Sequence, residues 1–315
     1  MTAAKLEIIH AGPQVSLQDE GRFGLLRYGV PASGPMDRFA FTIANLVLGN
    51  SAGSTCIEIS LGGLTLRCAL GPVSFAVAGG DFRVFVNETA LSAWSVACLQ
   101  PGDTLQIRPG RWGSWCYLAF SGKILCNQWL GSASTHGPSG LGGRILAKGS
   151  TLAIENAQSR PDLQRPITCP VTARARSTIR VVLGPQDRFF NREMIQVLLS
   201  NPFTLTHAYD RMGVRLSGPS LRPNATLDMP SEGITRGSIQ VAGDGVATVL
   251  LADHQTTGGY PKIATILSIE CDGFSQLRSH DSVVFEAIST KTAISAARTR
   301  SATRAAYLEK LLKNT

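Results

Sequence analysis

The chain has 315 residues and a formal net charge of +8, from 30 Lys+Arg against 22 Asp+Glu. Charged residues make up only 17% and hydrophobic residues 43%, which excludes a disordered chain; frequent Gly and Pro exclude a coiled coil. The length suits two domains of ~150 residues, or one large β domain.

The excess charge is local. Residues 156–178 carry a net +3 and residues 289–315 a net +5, so the remaining body is neutral. A nucleic-acid-binding domain carries its basic stripe on the folded surface, interleaved with aromatics. No nucleic-acid partner is therefore expected. No apolar run approaches the ~20 residues of a membrane span, so no membrane partner is expected either.

Short β-type runs dominate the first half, at 6–9, 56–59, 64–68, 73–77, 82–86, 104–107, 114–120 and 151–154. Gly, Pro, Asp or Asn clusters bound most of them, and a spacing of roughly 8–12 residues points to a barrel or sandwich. One helix is predicted over 36–48, with Gly49-Asn50 as its stop. The polar, Pro-containing stretch 156–178 reads as a linker. Strands resume at 179–183, a helix fits 188–199, and further strands follow at 203–206, 238–241, 247–252, 263–268 and 282–286. Residues 290–313 read as one helix whose packed face is Ile294, Ala297, Ser301, Ala305, Leu308 and Leu312. The expected domains are 1–155, a linker over 156–178, a second domain over 179–288 and a basic C-terminal helix over 289–315.

The seven cysteines form no CxxC pair, and the N-terminus lacks a 7–15-residue apolar segment. Reduced, buried thiols and a cytoplasmic location are the expectation. The five histidines are scattered without zinc spacing, so no metal site is expected. Neither GxxxxGK[ST], GxGxxG nor GxSxG occurs.

The densest polar segment is Ala252-Asp-His-Gln-Thr-Thr-Gly-Gly-Tyr-Pro-Lys262. It concentrates donors and acceptors between two apolar strands, and Gly258-Gly259 lets backbone approach a ligand. A polar hairpin turn is the alternative, but a turn needs no such variety of donors and acceptors. Arg211 and Arg215 flank Gly213, a spacing suited to a carboxylate or phosphate, or to a solvated strand face. Glu232, in Ser231-Glu-Gly233, is a candidate acid/base, a substrate ligand or a turn cap. Asp37 opens the first helix and suits an N-cap. Gly137-Pro-Ser-Gly-Leu-Gly-Gly143 is a flexible loop that lines a cleft or simply turns. A short echo links Arg22-Phe-Gly with Arg211-Met-Gly, as two related barrels would.

Seven motifs occur together and in order: Gln18-Asp19 with Gly21-Arg22-Phe-Gly, Ser33-Gly-Pro-Met-Asp37, Ala44-Asn-Leu-Val-Leu-Gly-Asn50, Glu58-Ile-Ser-Leu-Gly62, Arg211-Met-Gly-Val-Arg215, Ser231-Glu-Gly233 and Gln255-Thr-Thr-Gly-Gly-Tyr-Pro261. The chain resembles the biotin-dependent carboxyltransferase family. That family includes allophanate hydrolase subunit 2, the KipA-like proteins and the C subunit of bacterial 5-oxoprolinase. It is also similar to one half of the carboxyltransferase domain of urea carboxylase. The likeness runs from about residue 5 to about residue 288.

The resemblance implies a mainly β fold of two cyclophilin-like β-barrel domains with a few short helices and a C-terminal helix. It implies a KipI-like partner (the B subunit of 5-oxoprolinase), with a separate A subunit in the complex. The first activity implied is ATP-dependent opening of 5-oxoproline to glutamate, a hydrolysis of a cyclic amide. The second is carboxyl transfer from carboxybiotin to a urea or amide nitrogen. A third role is non-enzymatic, binding a KipI-like inhibitor. The catalytic candidates are Gln255, Thr256, Thr257 and Glu232. The substrate-binding candidates are Asp37, Arg211, Arg215, Gln240, Gly258, Gly259, Tyr260 and Lys262. Gln255, Thr256 and the backbone donors of Gly258-Gly259 suit a developing oxyanion, and Lys262 or Arg211 suits a carboxylate or phosphate. ATP would serve the complex without a P-loop in this chain. Biotin would arrive only on another chain, since no Met-Lys-Met acceptor is present. Two departures stand out: Thr235-Arg236 and Val241-Ala242 occupy places where the family often has Pro. His254 sits where the family varies and is not read as catalytic.

Overall fold

A computed structural model describes residues 3–224 and 229–313. The chain divides into two compact units. The first comprises residues up to Arg22, then Ser33–Arg174, then the chain from Tyr307; the second comprises Phe23–Ala32 and Ala175–Ala306. The fold is mainly β, with helices α1 (Arg38–Leu46), α2 (Arg192–Ser200), α3 (Ser268–Ser275) and α4 (Thr290–Lys313). None of the described helices is long and apolar enough to cross a membrane. All seven cysteines are free thiols, four of them buried.

The first unit is built on two sheets. One runs Lys123–Ile124, Thr151–Glu155, Ala3–Ala11, Leu64–Leu70, Thr104–Arg108, Arg83–Val86, Thr89–Leu91. The other runs Arg165–Pro166, Ser95–Leu99, Val73–Ala78, Cys116–Phe120, Cys56–Ile59, Ser16–Gln18. Residues from both meet in one core, for example Leu6, Leu66, Ile107 and Ile154 with Ile57, Phe75, Leu99 and Leu118. Leu6 and Ile8, or Leu64 and Leu66, alternate with more exposed neighbours as strands with one covered face require.

On the far side of the second sheet, α1 packs Phe41, Ile43 and Ala44 against Ala76, Ala78 and Tyr117. The stretch 156–178, read from sequence as a linker, is largely packed structure. Arg165–Pro166 adds an edge strand to Ser95–Leu99, and Leu163, Ile167 and Ala173 are buried in the α1 cluster. Widely spaced apolar residues between prolines conceal this, because each anchors a separate turn and no period forms.

The second unit is a closed barrel. Its strand order is Thr178–Leu183, Lys262–Ile266, Ser238–Val241, Ala247–Leu250, Gly213–Ser217, Phe203–Tyr209, Ser282–Ala287. The last strand returns to the first in parallel pairing. Ile179, Val181, Phe203, Leu205, Val283 and Phe285 are buried at every second position, and the Phe203 and Phe285 rings lie 5.9 Å apart. Helix α2 starts at Arg192, where Asn191 Oδ1 accepts from Met194 N at 2.8 Å.

Two expectations change here. The strand expected over 263–268 ends at Ile266, and α3 follows from Ser268. Its buried Glu270 and Asp272 hide it from any apolar periodicity. Helix α4 is present, but on a rotated face. Ile294 and Leu312 are exposed, whereas Leu311 is buried. Arg304 lies inward because it forms a 2.6 Å ion pair with Asp272 of α3. A partnered arginine stands where the sequence pattern demands an apolar residue.

Candidate functional site

The polar segment 252–262 folds over the second unit's barrel, held at several points. Asp253 N donates to Arg211 O at 2.8 Å. The two side chains form a buried ion pair, Nε to Oδ2 at 2.9 Å and the second guanidinium nitrogen to Oδ1 at 3.0 Å. Arg211 is thus committed to an internal carboxylate. His254 Nδ1 lies 2.7 Å from Gln255 O, fixing its ring to the strap.

Thr257–Gly258 then pairs as a short antiparallel ribbon with Glu232–Gly233. Glu232 stands opposite Gly258 and Gly233 opposite Thr257, and Ile234 N donates to Thr256 O at 3.0 Å. Two segments that are separate motifs in the sequence become one element. A side chain at position 258 would crowd the ends of two neighbouring side chains. A Cβ there would lie 2.8 Å from Ile234 Cδ1 and 2.9 Å from Gln240 Nε2.

Two glutamines join beneath the ribbon. Gln255 Nε2 donates to Gln240 Oε1 at 3.2 Å, and Gln240 Nε2 donates to Tyr260 O at 3.2 Å. The Gln255 side-chain oxygen has no protein donor among the described residues. Gln240, Gln255 and Tyr260 line a pocket of about 570 Å³ together with His207, Asp210 and Arg215. Arg215 also reaches Asp244 at 3.1 Å on the exposed rim. On that rim, His207 and His280 place their Nε2 atoms 2.9 Å apart. No group of three or more metal-ligating side chains occurs among the described residues.

Lys262 is the register partner of Gln240 on the neighbouring strand. It is 1% exposed. Burial pushes its amine below the ordinary lysine range, and the charge of Glu232 pulls it partly back. Gln186 holds this corner together. Its Nε2 donates to Glu232 Oε2 at 2.6 Å, and its Oε1 accepts from Lys262 N at 2.9 Å.

Glu232, Gln240, Gln255, Thr256, Thr257, Gly258, Gly259, Tyr260 and Lys262 therefore belong to one corner of the second unit, and Arg215 lines its pocket. Asp37 belongs to the first unit. There its Oδ1 accepts from Ala40 N at 3.0 Å, capping α1, and its own N–H donates to Tyr117 Oη at 2.7 Å. Tyr117 in turn donates to Glu58 Oε2 at 2.8 Å inside the same core. Gln186 and Asp253 are absent from the sequence candidates. Asp253 lies within the polar segment, but a lone Gln after Gly184-Pro185 carries no signal of its own.

The sequence matches the family described as "Carboxyltransferase domain, subdomain A and B" over residues 28–287. The chain belongs to this carboxyltransferase family. It is 32% identical to the C subunit of 5-oxoprolinase from Haemophilus influenzae, across 91% of this chain and 93% of that one. It is also 32% identical to the corresponding Escherichia coli protein, again the C subunit of 5-oxoprolinase, across 92% and 94%. The urea amidolyase of Saccharomyces cerevisiae is 28% identical, and the match covers 90% of this chain but 17% of that enzyme. Among solved structures, the Kluyveromyces lactis urea carboxylase superposes with a TM-score of 0.85 at 26% identity, over 98% of this chain and 29% of that one. TTHA0988 superposes with a TM-score of 0.80 at 30% identity over 90% of this chain, which spans 55% of its length. The mainly β fold implied by the motifs is thus that of known carboxyltransferase-domain structures.

Proposed function

We propose that this chain is one component of an ATP-dependent 5-oxoprolinase, which opens 5-oxoproline to glutamate. In that complex it acts with a KipI-like B subunit and a separate A subunit in the cytoplasm. The observation that carries the reading is the match to two 5-oxoprolinase C subunits over more than nine-tenths of both partners.

The pocket chemistry suits a cyclic amide. The Gln255 side-chain oxygen is available to accept a ring N–H. The N–H groups of the ribbon backbone and the Thr256 and Thr257 hydroxyls are donors of the kind that stabilise a developing oxyanion. Glu232 is the acid/base candidate beside them, and Tyr260, half exposed, walls the opening. Arg215 supplies positive charge at the rim. A triphosphate does not fit this pocket. Its lining holds one arginine, already paired with Asp244, and the acid Asp210. ATP accordingly serves the complex away from this pocket.

Co-expression with the B and A subunits tests the proposal. The assembled complex is expected to hydrolyse ATP only when 5-oxoproline is supplied. An assembled complex that turns over neither compound rejects it.

The superposition with urea carboxylase over 98% of the chain favours one second reading. Here the chain is a carboxyltransferase component that moves a carboxyl group from carboxybiotin, carried on another chain, to a urea or amide nitrogen. Urea-dependent release of biotin from its carboxylated form, with 5-oxoproline inert, would select it.

A further inference from the structure

Lys262 carries a buried amine that no described residue binds. Its Nζ is shielded from solvent and has no hydrogen-bond partner among the described residues. Glu232 is the acid whose charge it feels, yet that carboxylate is held at 2.6 Å by Gln186 Nε2. Gln186 is itself fully buried. Besides accepting from Lys262 N, it donates its own N–H to Lys262 O at 3.1 Å. One glutamine therefore pins the lysine backbone and anchors the acid.

An ammonium group buried without a partner carries a large desolvation cost. Two states relieve that cost. The amine stays neutral, or an anion comes to it. Gln240 is the register partner of Lys262 across the strand pair, beside an irregularity between Ile239 and Gln240. Gln240 also lines the pocket, so a ligand held there lies one strand away from Lys262.

The ligand's charge follows from the neighbours. Glu232 already places a carboxylate within electrostatic reach of this single amine. A dianionic phosphate would add two negative charges against one positive charge. A carboxylate adds one, which the proton taken up by the amine cancels, so the net charge of the corner is unchanged.

We propose that Lys262 anchors a monoanion subsite, in which its amine takes a proton from solvent as the carboxylate of a small ligand arrives beside Gln240. One proton is bound for each carboxylate bound, with no covalent change. The identification of that ligand with 5-oxoproline rests on the function proposed for the chain; the subsite itself does not.

The test follows Lys262 by NMR in the full chain carrying 13Cε-labelled lysine. The Lys262 signal is assigned by its loss in Lys262→Met. Its pH titration is recorded with sodium acetate, inorganic phosphate, 5-oxoproline and sodium chloride as the ionic control. Acetate and 5-oxoproline are expected to raise its titration midpoint by about one pH unit or more, the size of one favourable charge contact. Phosphate is expected to behave as chloride does. A midpoint that no carboxylate moves, or that phosphate moves more than acetate, overturns the subsite. A midpoint moved by acetate but not by 5-oxoproline keeps the subsite and removes 5-oxoproline as its ligand. Calorimetry of 5-oxoproline binding in two buffers of different ionisation heat gives a second readout. Uptake of a proton is expected in the parent chain and none in Lys262→Met.

Discussion

Arg211 grips Asp253 through two hydrogen bonds of 2.9 and 3.0 Å, and the strap that carries Gln255 begins at that carboxylate. Both side chains are almost entirely buried. The pair therefore sets where the strap leaves the barrel. It leaves little of Arg211 for a substrate.

Arg211→Met should expose the cost of this arrangement. It strands a carboxylate in the interior, and breaking a buried pair in this way costs about 3–5 kcal/mol. Thermal unfolding of the variant is expected to shift down by on the order of 10 °C. If Arg211 instead serves a bound carboxylate, the variant melts normally and loses only affinity.

The paired glutamines make a narrower prediction. Gln255→Leu removes the donor to Gln240 Oε1 and the acceptor offered to the pocket. Stability should fall by only about 1 kcal/mol, the net worth of one ordinary hydrogen bond. Turnover in the assembled complex should fall more, about 10- to 100-fold, corresponding to ~1.5–3 kcal/mol of lost polar recognition. Steady-state kinetics beside a urea melt separates the two effects. Unchanged turnover in a stable variant removes Gln255 from the site.

Most of the barrel strands and the polar segment over residues 252–262 were legible in the sequence, and the reason is local. Alternating apolar residues such as Ile179 and Val181 mark a strand without help from distant contacts. Polar groups crowded between two such strands mark the strap over the barrel. What stayed hidden depended on partners far away in sequence. Glu270, Asp272, Arg180 and Arg304 look like surface charges until α3 and α4 bring them into contact. Gln186 is silent until Lys262 and Glu232 surround it. The direct pairing of the Ser-Glu-Gly and Thr-Thr-Gly-Gly segments is also nonlocal, since about 25 residues and two barrel strands separate them.

Asp37 separates a structural role from a binding one. Its carboxylate caps α1 through Ala40 N. Asp37→Ala should cost about 1 kcal/mol, within the roughly 0.5–2 kcal/mol range of lost N-caps. Asp37→Asn should recover most of that, because an amide oxygen also accepts from Ala40 N. Binding of 5-oxoproline by the complex is expected to be the same in both variants. A binding loss that Asn does not rescue would give Asp37 a direct role.

Gly258→Ala places a methyl group 2.8 Å from Ile234 Cδ1 and 2.9 Å from Gln240 Nε2. Ile234 is buried and Gln240 is tied to both Gln255 and Tyr260. Neither yields freely, so a stability cost of about 1–3 kcal/mol is expected. The displaced Gln240 should also lower turnover in the complex by more than about tenfold, the loss of roughly one polar contact. Thr257→Ala, on the exposed strand position beside it, is the control for folding. Equal stability of the two variants would mean that the ribbon shifts to admit the methyl group.

Lys262 gives a pH signature whose sign is fixed by its surroundings. Burial lowers the amine from its ordinary value of 10.5. Between the lowered folded value and the unfolded value, the unfolded chain binds more protons than the folded one, so the contribution to stability rises with pH. Below that window the folded state bears the full penalty of a buried ammonium. Lys262→Met removes the titrating group while keeping an unbranched apolar side chain. In urea melts from neutral pH upward, the parent chain should therefore gain stability relative to the variant as the solution becomes alkaline. A stability difference that stays constant with pH would show that the folded and unfolded chains hold the Lys262 proton equally.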